Sequence, residues 1–191
     1  MVGYKARMFN RKASSQKSKP NQILETLALH LGQAIADIGA GGGYFSLRFA
    51  DAVGSMGRVY AVDTNPEFLK YIRNMAGEEG FSNIATILVT QDNPLSLPEE
   101  SVDLVFIRNV YHHLSNRAKY FRDLRKVLKP KGKVAIIEYK RDGGILSFRK
   151  LFGHYLPKET IVKEMTEAGY QLEEDFDFLP EQSFTVFRIM R

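Results

Sequence analysis

Short, nearly continuous apolar runs recur along the chain and alternate with longer stretches whose apolar residues have helical spacing. A short apolar run without polar alternation is typical of a strand buried on both faces of a parallel sheet. The runs that we predict as strands are Ala34–Ile38, Val59–Val62, Ile84–Val89, Val102–Ile107 and Val134–Ile137.

Amphipathic stretches separate these runs and predict helices. Pro66, for example, suits the first turn of a helix. The predicted helices are Asn21–Leu31, Tyr44–Val53, Pro66–Ala76, Asn116–Leu128 and Lys158–Ala168, and Gln171–Phe178 with Ser183–Ile189 form a predicted hairpin across Pro180. The pattern predicts an α/β fold: a doubly wound seven-stranded sheet, mostly parallel, with an antiparallel C-terminal edge hairpin.

The N-terminal segment is basic and has no acid. Its cations are Lys5, Arg7, Arg11, Lys12, Lys17 and Lys19, whereas the net charge of the whole chain is only +5. The rest of the chain is therefore close to neutral, which is a poor electrostatic match for a nucleic-acid duplex. We treat residues 1–20 as a basic arm or lid and residues 21–191 as one domain.

The arm has two interpretations at this stage. It is either a solvated tail, or an arm that touches phosphates or closes over a substrate. As a lid it would be partly mobile over Met1–Lys19 and would order across a ligand pocket when substrate binds. In the second case Tyr4, Met8 and Phe9 are the expected apolar anchors.

Missing residue types exclude several classes of protein. The chain has no cysteine, so disulfides, cysteine nucleophiles and cysteine-ligated zinc are excluded, and we predict no metal site. No apolar run is long enough to span a bilayer, and no apolar signal segment follows Met1, so we expect a cytoplasmic protein.

A glycine-rich loop follows the first predicted strand, in the string AIADIGAGGGYF from Ala34 to Phe45. Such a loop lets backbone N–H groups approach a nucleotide-like ligand closely at the carboxyl end of a strand. The dinucleotide pattern G-x-G-x-x-G does not fit, because Tyr44 or Ser46 stands where its last glycine belongs. The loop instead fits G-x-G-x-G at Gly39, Gly41 and Gly43. A tight turn without a ligand is the alternative.

Two acids accompany the loop. Asp37 lies in the strand before it, where a carboxylate would repel a pyrophosphate but attract the ammonium and sulfonium groups of S-adenosylmethionine. Asp63 ends the second strand, where its carboxylate can accept hydrogen bonds from both hydroxyls of a ribose. The alternative for Asp63 is a turn or helix cap before Asn65 and Pro66.

The string TQDNPLSLP follows the third strand. Asp92 in it can accept a hydrogen bond from an adenine amine, and Leu95 and Leu97 can form walls for the ring. An ordinary polar loop explains the same residues, and both interpretations stay open.

These strings, together with VYAVD and LRKVLKPKGKVAIIEYK, resemble the ordered motifs of class I S-adenosylmethionine-dependent methyltransferases, which are Rossmann-like, and in particular the type 11 group that includes the ubiquinone and menaquinone methyltransferases. The match runs from about Asn21 to Tyr139. The residues that the resemblance assigns to the cofactor are Asp37, Gly39, Ala40, Gly41 and Gly43 for the methionine end, Asp63 and Thr64 for the ribose, Asp92 and Asn93 for the adenine, and Arg108 and Asn109 near the methyl group. Gly42 departs from the family, which often has Thr or Ser there.

Methyl transfer mainly requires that the nucleophile be held near the methyl carbon and that water be excluded. A hydroxyl or an ammonium would also need a base, and His112 is the candidate, with His113 second. A packing role for both histidines stays open. Glu138, Tyr139 and Lys140, at the end of the fifth strand, are further substrate-side candidates.

The expected function is methyl transfer from S-adenosylmethionine to a small molecule, with S-adenosylhomocysteine as product. The short connection from Tyr139 to Tyr155 favours a small molecule, and the basic residues 117–133 are interpreted as a solvated helix face. Nucleic acid is a disfavoured partner, and the pattern makes no prediction of oligomeric state. The alternatives are an RNA or protein methyltransferase, a non-catalytic S-adenosylmethionine-binding protein and a nicotinamide oxidoreductase.

Overall fold

The computed structural model describes residues 2–90, 95–140 and 156–190. Its strands are β1 (Ala34–Ile38), β2 (Arg58–Asp63), β3 (Ile84–Leu88), β4 (Val102–Arg108), β5 (Leu128–Tyr139), β6 (Tyr170–Phe176) and β7 (Gln182–Ile189). Its helices are α1 (Val2–Ala13), α2 (Pro20–Leu27), α3 (Tyr44–Val53), α4 (Pro66–Glu78), α5 (Arg117–Leu124) and α6 (Lys158–Glu167), with short 3-10 helices at Gln16–Ser18 and Tyr111–His113.

The strands form one seven-stranded sheet in the order β3-β2-β1-β4-β5-β7-β6. The pairs from β3 to β5 are parallel, and β7 is antiparallel to both β5 and β6. The predicted fold is confirmed, including the edge hairpin. Strand order reverses between β1 and β4, and ligands of open α/β sheets bind at such a reversal, beyond the carboxyl ends of the strands.

Each face of the sheet carries its own apolar core, which is why the strands lack polar alternation. On one face, Ile35 and Phe106 pack with Phe49 of α3 and Phe184 of β7. Residues next to them in sequence pack on the opposite face, where Ile107 lies in a core that also holds Phe121 of α5 and Tyr170 of β6. Side chains at the carboxyl ends of β1, β4 and β5 therefore divide between two layers of helices.

Two predicted helices end four residues early in the structure. The helix that was expected to reach Leu31 ends at Leu27, because Ala28 adopts a left-handed conformation with φ 46°. The helix that was expected to reach Leu128 ends at Leu124, and Leu128 begins β5. The carbonyl of Val127 already accepts hydrogen bonds from the N–H groups of Ser101 and Val102, so the chain has joined the sheet at that point.

The N-terminal segment forms the helix α1. The sequence had predicted a segment that cannot fold on its own. Ala6 is fully buried, and the ring of Phe9 packs edge to face against Phe68 with centroids 5.6 Å apart. Tyr4, Met8 and Phe9 are all exposed, although Phe9 has this ring contact, and their role as anchors when substrate binds stays a prediction. Whether the segment changes when substrate binds stays a prediction. In the described part of the chain, no helix is long and apolar enough to cross a membrane.

Candidate functional site

A cavity of about 1280 Å³ opens beyond the carboxyl ends of β1, β2 and β4. Ligand pockets typically enclose about 300–1000 Å³. The space is therefore sufficient for a nucleotide-sized ligand together with a second small molecule. Its floor is the loop Gly39–Gly42, one wall comes from α1, and the opposite wall comes from the segment after β4 and from α5.

The positions of the loop require glycine for different structural reasons. Gly39, Gly41 and Gly43 all have positive φ. A Cβ on Gly39 would lie 2.3 Å from Val110, and a Cβ on Gly43 would lie 2.5 Å from Ile72, so packing alone excludes side chains there. A Cβ on Gly41 would meet only the Phe9 ring and the carbonyl of Gly39, at 3.5 Å or more. Gly41 therefore leaves the cavity open above the loop, whereas Gly43 does not line it and is the N-cap of α3.

Gly42 is required by α1. A Cβ there would lie 2.2 Å from Oδ1 of Asn10 and 2.3 Å from the carbonyl oxygen of Ala6. The Asn10 side chain donates to the Gly42 carbonyl (2.8 Å) and accepts from the Tyr44 N–H (3.2 Å). Because α3 has no side-chain cap of its own, Asn10 supplies the missing acceptor at its N-terminus. The departure from the family at Gly42 thus makes room for α1.

Asp63 ties the second strand to the loop. Its Oδ2 accepts from the N–H of Gly41 at 2.9 Å, and its Oδ1 accepts from the N–H of Asn65 at 2.9 Å. The cap of α4 is Asn65, whose side chain accepts from the N–H of Glu67. Asp63 therefore does not serve as the helix cap, and its carboxylate lines the cavity.

Asp37 is nearly buried at the end of β1 and also lines the cavity. Its Oδ2 accepts from the hydroxyl of Ser46 at 2.6 Å. Burial raises the pKa of Asp37 to about 7; the charge of Asp63 acts in the same direction, and the Ser46 hydrogen bond opposes it. A cationic ligand group would stabilise the ionised carboxylate that burial disfavours.

Arg108 and Asn109 end β4 and share one partner. Gln182 of β7 accepts from Nη2 of Arg108 (3.1 Å) and donates to Oδ1 of Asn109 (2.6 Å). Burial lowers the pKa of Arg108 to about 10, so the guanidinium stays charged at neutral pH. Its Nε and Nη1 are buried and have no hydrogen-bond partner among the residues that the structure describes. Unsatisfied buried donors beside a cavity are typical of a binding site.

His112 is paired with Glu138 of β5. Nδ1 of His112 lies 2.9 Å from Oε2 of a carboxylate that is fully buried. His113 is exposed, and its ring centroid lies 4.0 Å from that of His112. Both histidines and Tyr139 line the cavity, whereas Lys140 is directed to the carbonyl of Leu179 at 3.1 Å.

The predicted adenine-binding residues Asp92 and Asn93 lie outside the described residues. Leu95 lines the cavity, as do the predicted contacts Ala40 and Thr64. Leu97 does not line it: this side chain is buried in the core with Val102 and Leu128. The expectation that Leu97 walls the adenine ring is therefore wrong.

Two residues of the site were missed from the sequence, Asn10 and Gln182. Each has a signal that could have revealed it. Asn10 interrupts the apolar face of α1 between Ala6 and Ala13, and Gln182 is the polar first residue of an otherwise mostly apolar strand. A polar residue on a buried face needs a partner, but the sequence alone does not indicate which one.

The two acids, the cationic Arg108 and the open floor at Gly41 fit a zwitterionic nucleoside such as S-adenosylmethionine. Its ammonium and ribose hydroxyls match acceptors, and its carboxylate matches a donor. A family model described as a methyltransferase domain, of type 11, matches residues 36–136 of the chain.

Relatives and solved structures agree with the family match. The ubiquinone/menaquinone biosynthesis C-methyltransferase UbiE of Hydrogenovibrio crunogenus is 28% identical over 164 residues, which are 83% of this chain and 64% of that protein, so the chain spans somewhat under two thirds of its length. A SAM-dependent methyltransferase of Aquifex aeolicus has a TM-score of 0.82 and 22% identity, with 96% of this chain and 98% of that chain covered. The (4+2)-cyclase SpnF has a TM-score of 0.72 and 15% identity, with 93% and 84% covered. At these identities the solved structures support the fold alone.

Proposed function

The chain belongs to the type 11 group of class I S-adenosylmethionine-dependent methyltransferases, and on this premise we propose that it transfers a methyl group from S-adenosylmethionine to a small molecule. The observation that carries the proposal is the hydrogen bond from the N–H of Gly41 to Asp63. It joins the β1 loop and the β2 acid into one floor of the cavity, next to the reversal of strand order between β1 and β4, where ligands of open α/β sheets bind.

In this proposal, Asp37 holds the ammonium of the cofactor and Asp63 accepts from its ribose hydroxyls. Asp92 and Asn93 stay assigned to the adenine, and Arg108 and Asn109 to the surroundings of the methyl group, on the resemblance. When bound, S-adenosylmethionine supplies a methyl carbon on a sulfonium, so that transfer forms a bond from the acceptor atom to that carbon and leaves the C–S electron pair on sulfur. The chain itself orients both molecules, excludes water and handles the proton of the acceptor.

A small-molecule acceptor is supported by the cavity. It has space for a second small molecule beside a cofactor, and apolar side chains such as Val89, Leu95, Val110 and Leu114 contribute to its wall. The UbiE relative is named for methylation in ubiquinone and menaquinone biosynthesis, and an apolar ring compound of that kind suits such a wall. His112 is the proposed base and His113 a second substrate-side residue, since both line the cavity.

Calorimetry with S-adenosylhomocysteine tests the cofactor site, and a screen for S-adenosylhomocysteine formation with the low-molecular-mass, RNA and protein fractions of a cell extract tests transfer. Saturable binding together with product formation supports the proposal. Binding without product from any extract fraction favours a non-catalytic S-adenosylmethionine-binding protein. Product formation only with an RNA or protein fraction favours the macromolecular alternative, and preferential binding of NAD overturns the cofactor assignment.

A further inference from the structure

Glu138 is a buried carboxylate at the carboxyl end of β5, and its oxygens are directed to the segment after β4. Its side chain has no exposed surface. Oε1 accepts from the N–H of Tyr139 at 3.0 Å, and Oε2 lies 2.9 Å from Nδ1 and 3.4 Å from the backbone N of His112. Burying a carboxylate is costly unless hydrogen bonds compensate. The compensation here comes largely from one imidazole residue.

This contact favours one tautomer of the ring, because the Glu138 carboxylate also accepts from two backbone N–H groups and therefore serves as an acceptor. An ionised carboxylate only accepts hydrogen bonds, so Nδ1 of His112 is the nitrogen that carries a proton. In the neutral imidazole the lone pair is then on Nε2, and Nε2 is the atom that can take up a proton. When it does so, the Glu138 carboxylate stabilises the imidazolium, as in other carboxylate–histidine pairs that act in catalysis.

The 3-10 helix that carries His112 is fixed from the other side by a second cluster. The hydroxyl of Tyr111 donates to Oε2 of Glu164 on α6 (2.8 Å), and Arg117 donates to both oxygens of the same carboxylate (2.7 and 2.8 Å). Two carboxylates from different elements thus hold adjacent residues of one short helix. Of these two carboxylates, Glu138 is the one whose oxygen lies beside the imidazole.

We infer that Glu138 is a positioning residue that holds His112 in the tautomer able to accept a proton, and that the methyl acceptor therefore belongs to the class whose attacking atom carries a proton. This inference rests on the proposed methyl transfer. A thioether or a tertiary amine attacks with an existing lone pair and has no proton to lose, so a buried carboxylate–imidazole pair would contribute nothing to its reaction. An enol or phenol hydroxyl does need the base.

With an enol or phenol as acceptor, one proton has to leave the hydroxyl for each methyl group transferred. The proton on the attacking oxygen passes to Nε2 of His112, and the electron pair left behind is the one that forms the bond to the methyl carbon. The imidazolium, with protons on both nitrogens, later returns one to water. Besides His112, the titratable groups among the described residues that line the cavity are Lys12, Asp37, Tyr44, Asp63, Arg108, His113, Lys119, Tyr120, Asp123 and Tyr139.

The tautomer can be measured directly. The chain has four histidines, so long-range proton–nitrogen NMR spectra of protein with nitrogen-15 histidine resolve few rings, and His112→Gln assigns the signal. We expect the Nδ1–H tautomer for His112 in the wild type and a shift towards Nε2–H in Glu138→Gln, because the new amide can donate to Nδ1. An Nε2–H tautomer in the wild type overturns the inference, whether or not the variant folds.

Glu164→Gln is the matched control, because it removes a carboxylate that holds the same 3-10 helix but does not contact the imidazole. We expect its His112 tautomer to match the wild type. An equal tautomer shift in Glu164→Gln and Glu138→Gln would mean that only the position of the helix matters, and this would overturn the role of Glu138.

Turnover separates this inference from the proposed function. With the metabolite extract as acceptor, initial rates of S-adenosylhomocysteine formation in the wild type should rise with pH, because a base must be unprotonated to take up the proton of the acceptor. His112→Ala should lose up to about 10²–10⁴-fold and the pH dependence with it, and Glu138→Gln should lose at least about tenfold, while S-adenosylhomocysteine affinity stays within about twofold in both. Unchanged turnover in Glu138→Gln overturns the inference alone, whereas absence of S-adenosylhomocysteine binding by the wild type overturns the proposed function.

Discussion

Asn10 of α1 donates its side-chain N–H to the carbonyl oxygen of Gly42, 32 positions further along the chain, at 2.8 Å. The same side chain accepts a hydrogen bond from the N–H of Tyr44. These two hydrogen bonds attach the basic N-terminal helix to the glycine loop. The loop cannot be understood as a ligand cradle alone, because one of its glycines faces a helix of the same chain.

Replacing Asn10 by Ala should loosen α1 from the loop. The variant loses both hydrogen bonds, including the cap of α3, so the free energy of unfolding should fall by about 1–2 kcal/mol. Trypsin should cut at Arg7, Arg11 or Lys12 faster than in the wild type, because α1 opens more often. Asn21→Ala is the control, since Asn21 is exposed and its Oδ1 accepts from the exposed Arg48. Equal digestion of the wild type and Asn10→Ala would contradict this role.

Asp63→Ala should weaken binding of S-adenosylhomocysteine at least about tenfold, measured by calorimetry. Each hydroxyl that donates to a charged acceptor contributes about 1.5–3 kcal/mol, and the variant also frees the N–H of Gly41. Glu67→Ala, an exposed acid in the first turn of α4, is the control. If affinity is the same in Asp63→Ala, the ribose assignment is wrong.

Gly41→Val should abolish S-adenosylhomocysteine binding in a folded protein, because a β-branched side chain would occupy the open floor of the cavity. The variant also strains the backbone, since Gly41 has φ +54°. Gly80→Val is the matched control: Gly80 has φ +78°, and a Cβ there meets nothing within 4 Å. Comparable melting temperatures with binding lost only in Gly41→Val would separate the ligand effect from strain. Normal affinity in folded Gly41→Val would contradict the prediction.

The affinity for S-adenosylhomocysteine should depend on pH through Asp37. The pKa of this carboxyl is about 7, and an ammonium ligand binds its ionised form. Affinity should therefore be full above about pH 7 and should fall as the carboxyl is protonated at lower pH. Calorimetry in buffers of different ionisation enthalpy should detect proton release near pH 7. Asp37→Asn should bind more weakly and release no proton, and a wild type without proton release would count against the contact.

The same carboxyl should limit stability at high pH. Because the folded state raises the pKa of Asp37 from 3.8 to about 7, its proton favours folding at low pH, and that contribution is lost as pH rises towards 7. Asp37→Asn has no proton to lose. Chemical denaturation at pH 8 should find it more stable than the wild type by about 1–4 kcal/mol, with the difference vanishing near pH 4. An Asn variant that is less stable at pH 8 would refute this reasoning.

The features that could be predicted from the sequence are those that depend on residues close together along the chain. The strands at Ala34–Ile38 and Val102–Ile107, the glycine register and the acid Asp63 all follow from short-range patterns. The structure brings the glycine loop and Asp63 together at the carboxyl ends of the strands. The end of α5 was misjudged because Leu128 fits a helical face, whereas the carbonyl of the preceding Val127 bonds to residues 101 and 102. Such long-range partners are not visible in a local pattern.

The site was predicted in the same uneven way. His112 was identified as a candidate from residue type and place, but its pairing with Glu138 depends on β4 and β5 being neighbours with aligned ends. The partners Asn10 and Gln182 come from opposite parts of the chain and reach the site only through tertiary packing. Spacing along the sequence contains no information about either contact.

The place of Gln182 on β7 has a consequence for the order in which the protein is made. β7 is translated after β6 but lies in the sheet between β5 and β6. A nascent chain that has emerged only as far as β5 already has β1, β4 and the glycine loop, yet it lacks the amide that bridges Arg108 and Asn109. During synthesis, the floor of the pocket can thus assemble before the wall that Arg108 and Asn109 form. That wall acquires its geometry only after the final hairpin has left the ribosome.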